Sequence, residues 1–116
     1  MRVIICGSRT FMDYDFFCEK MSKHDITHII HGAAKGADTF AVQYASPLNI
    51  PYTTCVADWD KFGKRAGYLR NQEMLTHSPD FVIAFIDKPL EQSRGTAMMI
   101  SLAKAANLHG VIYRSN

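Results

Sequence analysis

At 116 residues, 47% of them hydrophobic, the chain is long enough to bury one core and too short to build two. Its 13 basic and 11 acidic residues, a formal net charge of +2, are interspersed and form neither a basic arm nor an acidic tail, so charge alone does not decide for or against nucleic acid. Cys6, Cys18 and Cys55 are odd in number and lack CxxC spacing, so neither a disulfide framework nor a zinc knuckle is suggested, and the apolar run after Met1 is too brief for a signal-peptide core or membrane span.

The expectation is one domain over residues 1–116, cytoplasmic and with no membrane partner. Residues 2–6, RVIIC, are apolar throughout and predict a central strand covered on both faces, with Cys6 a small core residue. The strand ends in Gly7-Ser8-Arg9. Glycine permits close approach and unusual backbone angles, while Ser and Arg supply a hydroxyl and a planar cationic fork, a combination suited to clamping a phosphate. A plain strand-ending turn with a surface Arg fits the same three letters.

A helix is predicted over roughly residues 12–23, followed by the strand THIIH at 27–31. His24, His28 and His31 would share a face only on a continuous helix, and the run into a β segment breaks that face, so no metal is expected. After strand two, HGAAKGAD brackets Ala33 with Gly32 and Gly36 ahead of a helix over about 36–46 that begins its first turn near Ala37. The N–H groups of such a helix start suit an anion. Asp38, in that turn, either complements the helix dipole or reaches a ribose hydroxyl.

The third strand is YTTCV at 52–56, and Asp58 directly follows its loop, placed to meet sugar hydroxyls. Trp59 is suited to stacking on a base or to anchoring its own loop. A basic helix is predicted over about 61–77 despite Gly63 and Gly67, each costing about 1 kcal/mol in a helix interior unless something approaches closely. On a helical wheel Gly67, Tyr68, Asn71, Met74 and Leu75 form one stripe, which puts Asn71 on the buried edge beside Arg70. The alternative is a basic helix facing water.

Residues 81–86, FVIAFI, repeat the pattern of a central strand, and DKPLEQ then leads to SRGT, where Ser93 caps a helix over about 94–107 and Arg94, Gly95 and Thr96 open it. That helix is apolar nearly all round, the mark of deep burial or a subunit interface. The strand GVIYR at 110–114 closes the chain.

Strands alternating with helices predict an α/β fold: a five-stranded, mainly parallel sheet in the order 3-2-1-4-5, helices on both faces, and a switch point between strands one and four. Ligands of such sheets bind at the carboxyl ends beside that point, where the loops above converge. There is no GxSxG elbow and no GxxxxGK[ST] loop, so neither a hydrolase triad nor triphosphate hydrolysis has support.

Together CGSRTF, HGAAKGAD, ADWDKFGKRAGYLRNQEM and SRGTAMMI resemble, in order and spacing, the YspA-like branch of the SLOG superfamily, across nearly the whole chain. The resemblance implies a Rossmann-like three-layer domain and a pocket for a nucleotide or nucleotide derivative. The superfamily includes the Lonely Guy phosphoribohydrolases, the DNA-processing protein A family and sensors of nucleotide-derived signals. In the Lonely Guy enzymes an Arg before an acidic-Met pair and a Glu three residues after Gly-Thr are catalytic. Arg70, Glu73 and Met74 match the first motif, which makes Arg70 the candidate catalytic residue. Gly95 and Thr96 match the second, but Met99 occupies the Glu position and cannot act as a base; Glu91, Asp87 or Asp38 would have to substitute.

The leading expectation is therefore a binder of an ADP-ribose-like, NAD-like or cyclic nucleotide signal. Gly7, Ser8, Arg9, Gly32, Ala33, Gly36, Ala37, Asp38, Asp58, Ser93, Arg94, Gly95 and Thr96 would form the site, Arg70 and Asn71 would close it, and no cofactor is needed. N-glycosidic hydrolysis and single-stranded nucleic-acid binding are the alternatives, the latter without a continuous basic, aromatic groove. Family habit and the apolar last helix imply a homo-oligomer.

Overall fold

The computed structural model describes residues 1–115. Five strands, β1 (Arg2–Gly7), β2 (His28–His31), β3 (Tyr52–Thr54), β4 (Phe81–Ile86) and β5 (His109–Arg114), form one sheet in the order β3-β2-β1-β4-β5, a Rossmann-like α/β arrangement. Every pairing is parallel, a stricter arrangement than the mainly parallel sheet expected.

The pleat sends alternate side chains to opposite faces and so divides the core in two. From β1, Val3 and Ile5 enter one half while Ile4 and Cys6 enter the other; β4 divides likewise between Ile83 and Phe85 on one side and Val82 and Ala84 on the other. This two-sided burial is why both strands are apolar throughout.

Helices α1 (Tyr14–Met21) and α2 (Ala37–Ala45) cover the first half. Asp13 starts α1 by accepting a hydrogen bond from the Phe16 N–H at 3.0 Å. Phe17, fully buried, packs against Phe85 with ring centroids 4.5 Å apart and also meets Tyr14, Phe40 and Tyr44.

The basic segment is not one helix. Gly63 takes φ +57 and breaks it into α3 (Trp59–Phe62), a 3-10 turn (Gly63–Arg65) and α4 (Ala66–Leu75). On α4 the buried positions are Ala66, Gly67, Asn71 and Met74, whereas Tyr68 is 42% exposed and leaves the expected stripe. Leu75 ends the helix two residues before the expected 77.

The other half of the core lies under α4 and α5 (Arg94–Ala105), through Met74, Met99 and Ala103. The last helix is buried along one narrow face only, Thr96, Met99 and Ala103, with Ala97, Met98, Ile100 and Leu102 half-buried.

From β1 the chain runs through α1 to β2, and from β3 it returns through α4 to β4. Gly7 pairs with Phe85, so the carboxyl ends of β1 and β4 lie side by side where the chain direction diverges. Among the described residues no helix is long and apolar enough to cross a membrane.

Candidate ligand-binding site

A cavity of about 510 Å³ opens at this switch point, lined by Gly7, Arg9, Asp38, Arg70, Asn71, Lys88 and Glu91, and by Ser93 through Thr96. One wall is the start of α5. The first N–H groups of an α-helix have no partner within the helix. Among the described residues no side chain caps them here: the Ser93 hydroxyl donates to Thr96 Oγ1 at 2.8 Å, and its oxygen accepts from none of these N–H groups. A Cβ on Gly95 would meet nothing within 4 Å, which leaves the backbone of this first turn open to a ligand. Ser93 thus stands at the expected capping position but leaves the donors free.

Arg70 ties the loops together. Its Nη1 donates to the Gly32 carbonyl at 2.7 Å and its Nε donates to Asn71 Oδ1 at 2.9 Å, while Asn71 Nδ2 donates to the Gly95 carbonyl at 3.3 Å. A Cβ at Gly32 would come within 2.6 Å of Arg70 Nη1, so this glycine makes room for the guanidinium. The buried Asn71 is explained by the same chain of hydrogen bonds.

Asp38 is 7% exposed. Its Oδ2 accepts from the Ala34 N–H at 3.2 Å, and its buried Oδ1 has no partner among the described residues. Burial pushes its carboxyl up to about 7, against the opposing pull of the Ala34 amide, the Arg70 guanidinium and the Gly32 amide. Nearby Cys6 is pushed well above the usual thiol range by burial, helped by Asp38 and opposed by Arg70. It remains a thiol and a core residue.

Other expected site residues hold the scaffold. Ser8 is fully buried; its hydroxyl accepts from the Asp87 N–H at 3.4 Å, so it faces the β1–β4 seam and not the cavity. Gly7 is required by space, since a Cβ would collide with the Phe85 carbonyl oxygen and lie 2.9 Å from Ala37 Cβ. Ala37 is correspondingly core. Gly36 takes φ +81, and a Cβ there would collide with the Ser8 carbonyl oxygen, so the loops after β1 and β2 can approach this closely only at a glycine. Asp58 accepts from the Lys61 N–H at 3.0 Å and starts α3, so it places Trp59 without lining a cavity. Met99 is fully buried and belongs to the core half under α4 and α5.

A second cavity of about 570 Å³ adjoins the first, lined by Arg9, Thr10, Gly32 to Lys35, Val56, Ala57, Trp59 and Arg70. Ala33 on its wall has φ +58, and its N–H donates to His31 Nδ1 at 3.2 Å. His31 also meets Thr54 Oγ1 at 2.9 Å, and burial lowers its pKa, so the neutral ring shapes this loop. His24 and His28 bond instead to Tyr113 and Thr53. The three histidines have separate partners and form no common site.

Ala34 and Lys35 fall within the Gly32 to Ala37 stretch that the sequence points to, whereas Lys88 is not among its candidates. Lys88 sits two residues past β4, in the loop that precedes α5, which was the signal available for it. Among the described residues Arg9, Lys35, Arg70, Lys88 and Arg94 form no ion pair. The two cavities are thus bordered by cations without carboxylate partners.

The family model of YAcAr, the YspA, cpYpsA-related SLOG family, matches residues 1–62. The Gene 61 protein of Mycobacterium phage D29 is 33% identical over 117 aligned positions, covering 92% of this chain and 91% of that protein. No solved structure matches the chain.

Proposed function

The chain belongs to the YspA, cpYpsA-related SLOG family, and on that premise we propose that its switch-point cavity binds a nucleotide-derived ligand through the ligand's phosphate. The observation that carries this reading is the uncapped first turn of α5, opened at Gly95 and flanked by Arg9, Lys88 and Arg94 without ion pairs. Free N–H donors, the positive end of a helix dipole and planar cationic forks in one concavity are the elements of phosphate recognition. Asp38 lines the same cavity, and a carboxyl suits the hydroxyls of a sugar better than a phosphate.

Binding without turnover is the better supported activity, because Met99 offers no base where the Lonely Guy enzymes carry a Glu. Arg70 therefore serves to position the loops and to meet charge. Glu91 is exposed at the cavity rim. Calorimetric titration with AMP, ADP-ribose and NAD tests the proposal. At least one should bind, and Arg9→Ala or Arg94→Ala should each weaken it by about tenfold, equivalent to about 1.4 kcal/mol. Silence across the panel, or affinity indifferent to both variants, refutes it. Release of free base from AMP by the tightly binding protein would restore the hydrolase reading.

A further inference from the structure

We infer that the ligand has two nucleoside-like halves joined through phosphates, and that the second half occupies the lobe beside Trp59 with its base against the indole. This rests on the nucleotide-binding reading above and specifies its ligand class.

The two cavities, about 510 and 570 Å³, are comparable in size, and each falls within the roughly 300–1,000 Å³ of a small-molecule site. They share Arg9, Ala34 and Arg70. Their remaining walls differ. The first offers the start of α5 and the cavity-lining Asp38, whereas the second offers Trp59, which is 50% exposed, and Val56, which is 68% exposed. A mononucleotide seated on α5 fills only the first lobe and leaves that apolar surface in water.

Trp59 is held for such a contact. Asp58 caps the helix turn that carries it, and Gly67 lies so near the ring that a Cβ there would come within 3.3 Å of its Cη2 atom. That contact also accounts for a glycine inside α4. With one edge seated on Gly67, half of the indole surface stays free, and the π-face of an aromatic ring accepts any base. At the junction, Arg9 is exposed with no ion pair, and Arg70 spends hydrogen bonds on Gly32 and Asn71 and forms no ion pair among the described residues, although its charge is felt by Asp38. A bridging phosphate at that boundary would face both guanidinium charges, while the two halves extend into the two lobes.

Trp59 is the single tryptophan of the chain, so its emission reports on the second lobe alone. The intact protein is titrated with AMP, NAD and diadenosine diphosphate, following tryptophan fluorescence and heat in parallel. The two dinucleotides should bind about tenfold or more tightly than AMP and change the emission, and AMP should leave it unchanged. Trp59→Leu should shrink the preference for dinucleotide over AMP, and Trp59→Phe should keep most of it; thermal melts of both variants exclude unfolding as the cause. Binding of AMP and the dinucleotides with equal affinity, or dinucleotide binding that leaves the emission and the Trp59→Leu preference unaltered, overturns this inference alone. Failure of all three probes to bind overturns it together with the proposed function.

Discussion

Asp38 combines a buried carboxyl with one satisfied oxygen and one orphan, and the imbalance has a measurable consequence. Its pKa rises from 3.8 in the open chain to about 7 in the fold. Between about pH 4 and pH 7 the unfolded chain therefore releases a proton that the folded one retains. Fewer protons on the unfolded state mean that stability falls as pH rises through this window and levels off above it. Holding the full charge in the fold costs up to about 4 kcal/mol. In Asp38→Asn this loss should disappear: urea melts at pH 4 and pH 8 should show the parent losing up to about 4 kcal/mol more than the variant, whatever constant offset the buried amide adds. An unchanged pH slope in the variant would mean that the carboxyl ionises as in water. The sequence places Asp38 in a first helical turn. That it is buried against Cys6 and Arg70 depends on β1 and α4 arriving from distant parts of the chain.

At the scale of elements, two glycines with equal open space around them should respond oppositely to alanine. A Cβ at either Gly63 or Gly95 would have no atom within 4 Å, but only Gly63 has a positive φ, +57. Gly63→Ala should destabilise by about 1 kcal/mol, through left-handed backbone strain at the joint between α3 and α4. Gly95→Ala should stabilise by roughly 0.5–1 kcal/mol as a better helix former, while its methyl group intrudes on the N–H face of α5 and weakens the phosphate-bearing ligand. Chemical denaturation and calorimetry on the two variants separate these effects. Both glycines read alike in the sequence, as breakers near a helix. The break at Gly63 escapes a periodicity argument because the charged residues around it fit a helix, and the broken form is selected by Asp58 capping and by the Trp59 contact with Gly67. On the opposite face Phe17→Ala should cost about 3–5 kcal/mol, since α1 meets β4 and α2 through that ring. A denaturant midpoint close to that of the parent would contradict so central a role.

Across the whole molecule, the lobes are built from loops after β1, β2 and β3 and from the start of α5, so a ligand that spans them joins both halves of the sheet. Ligand at one hundred times its dissociation constant should stabilise the fold by about 2.7 kcal/mol, seen as a raised melting temperature. The affinity should also fall with added salt, because the lining cations are partly exposed and screened over about 10 Å at 0.1 M. A ligand-induced stabilisation insensitive to salt would argue that contacts other than phosphate dominate.

The α/β class, the strand order and the switch point were legible in the sequence because they follow from local patterns: unbroken apolar strands, helical segments between them and right-handed crossovers that leave few topologies. The loops that border the two cavities were legible for the same reason, since such a sheet brings its strand ends together. Which residues in those loops line the cavities was decided only by tertiary packing. Ser8, Gly36 and Ala37 spend their chemistry on the seam between β1, β4 and α2, and Gly7, at the edge of the first cavity, has no room there for a Cβ. Gly95, Arg94, Lys88 and Trp59 keep theirs for the cavities, because no element packs over them.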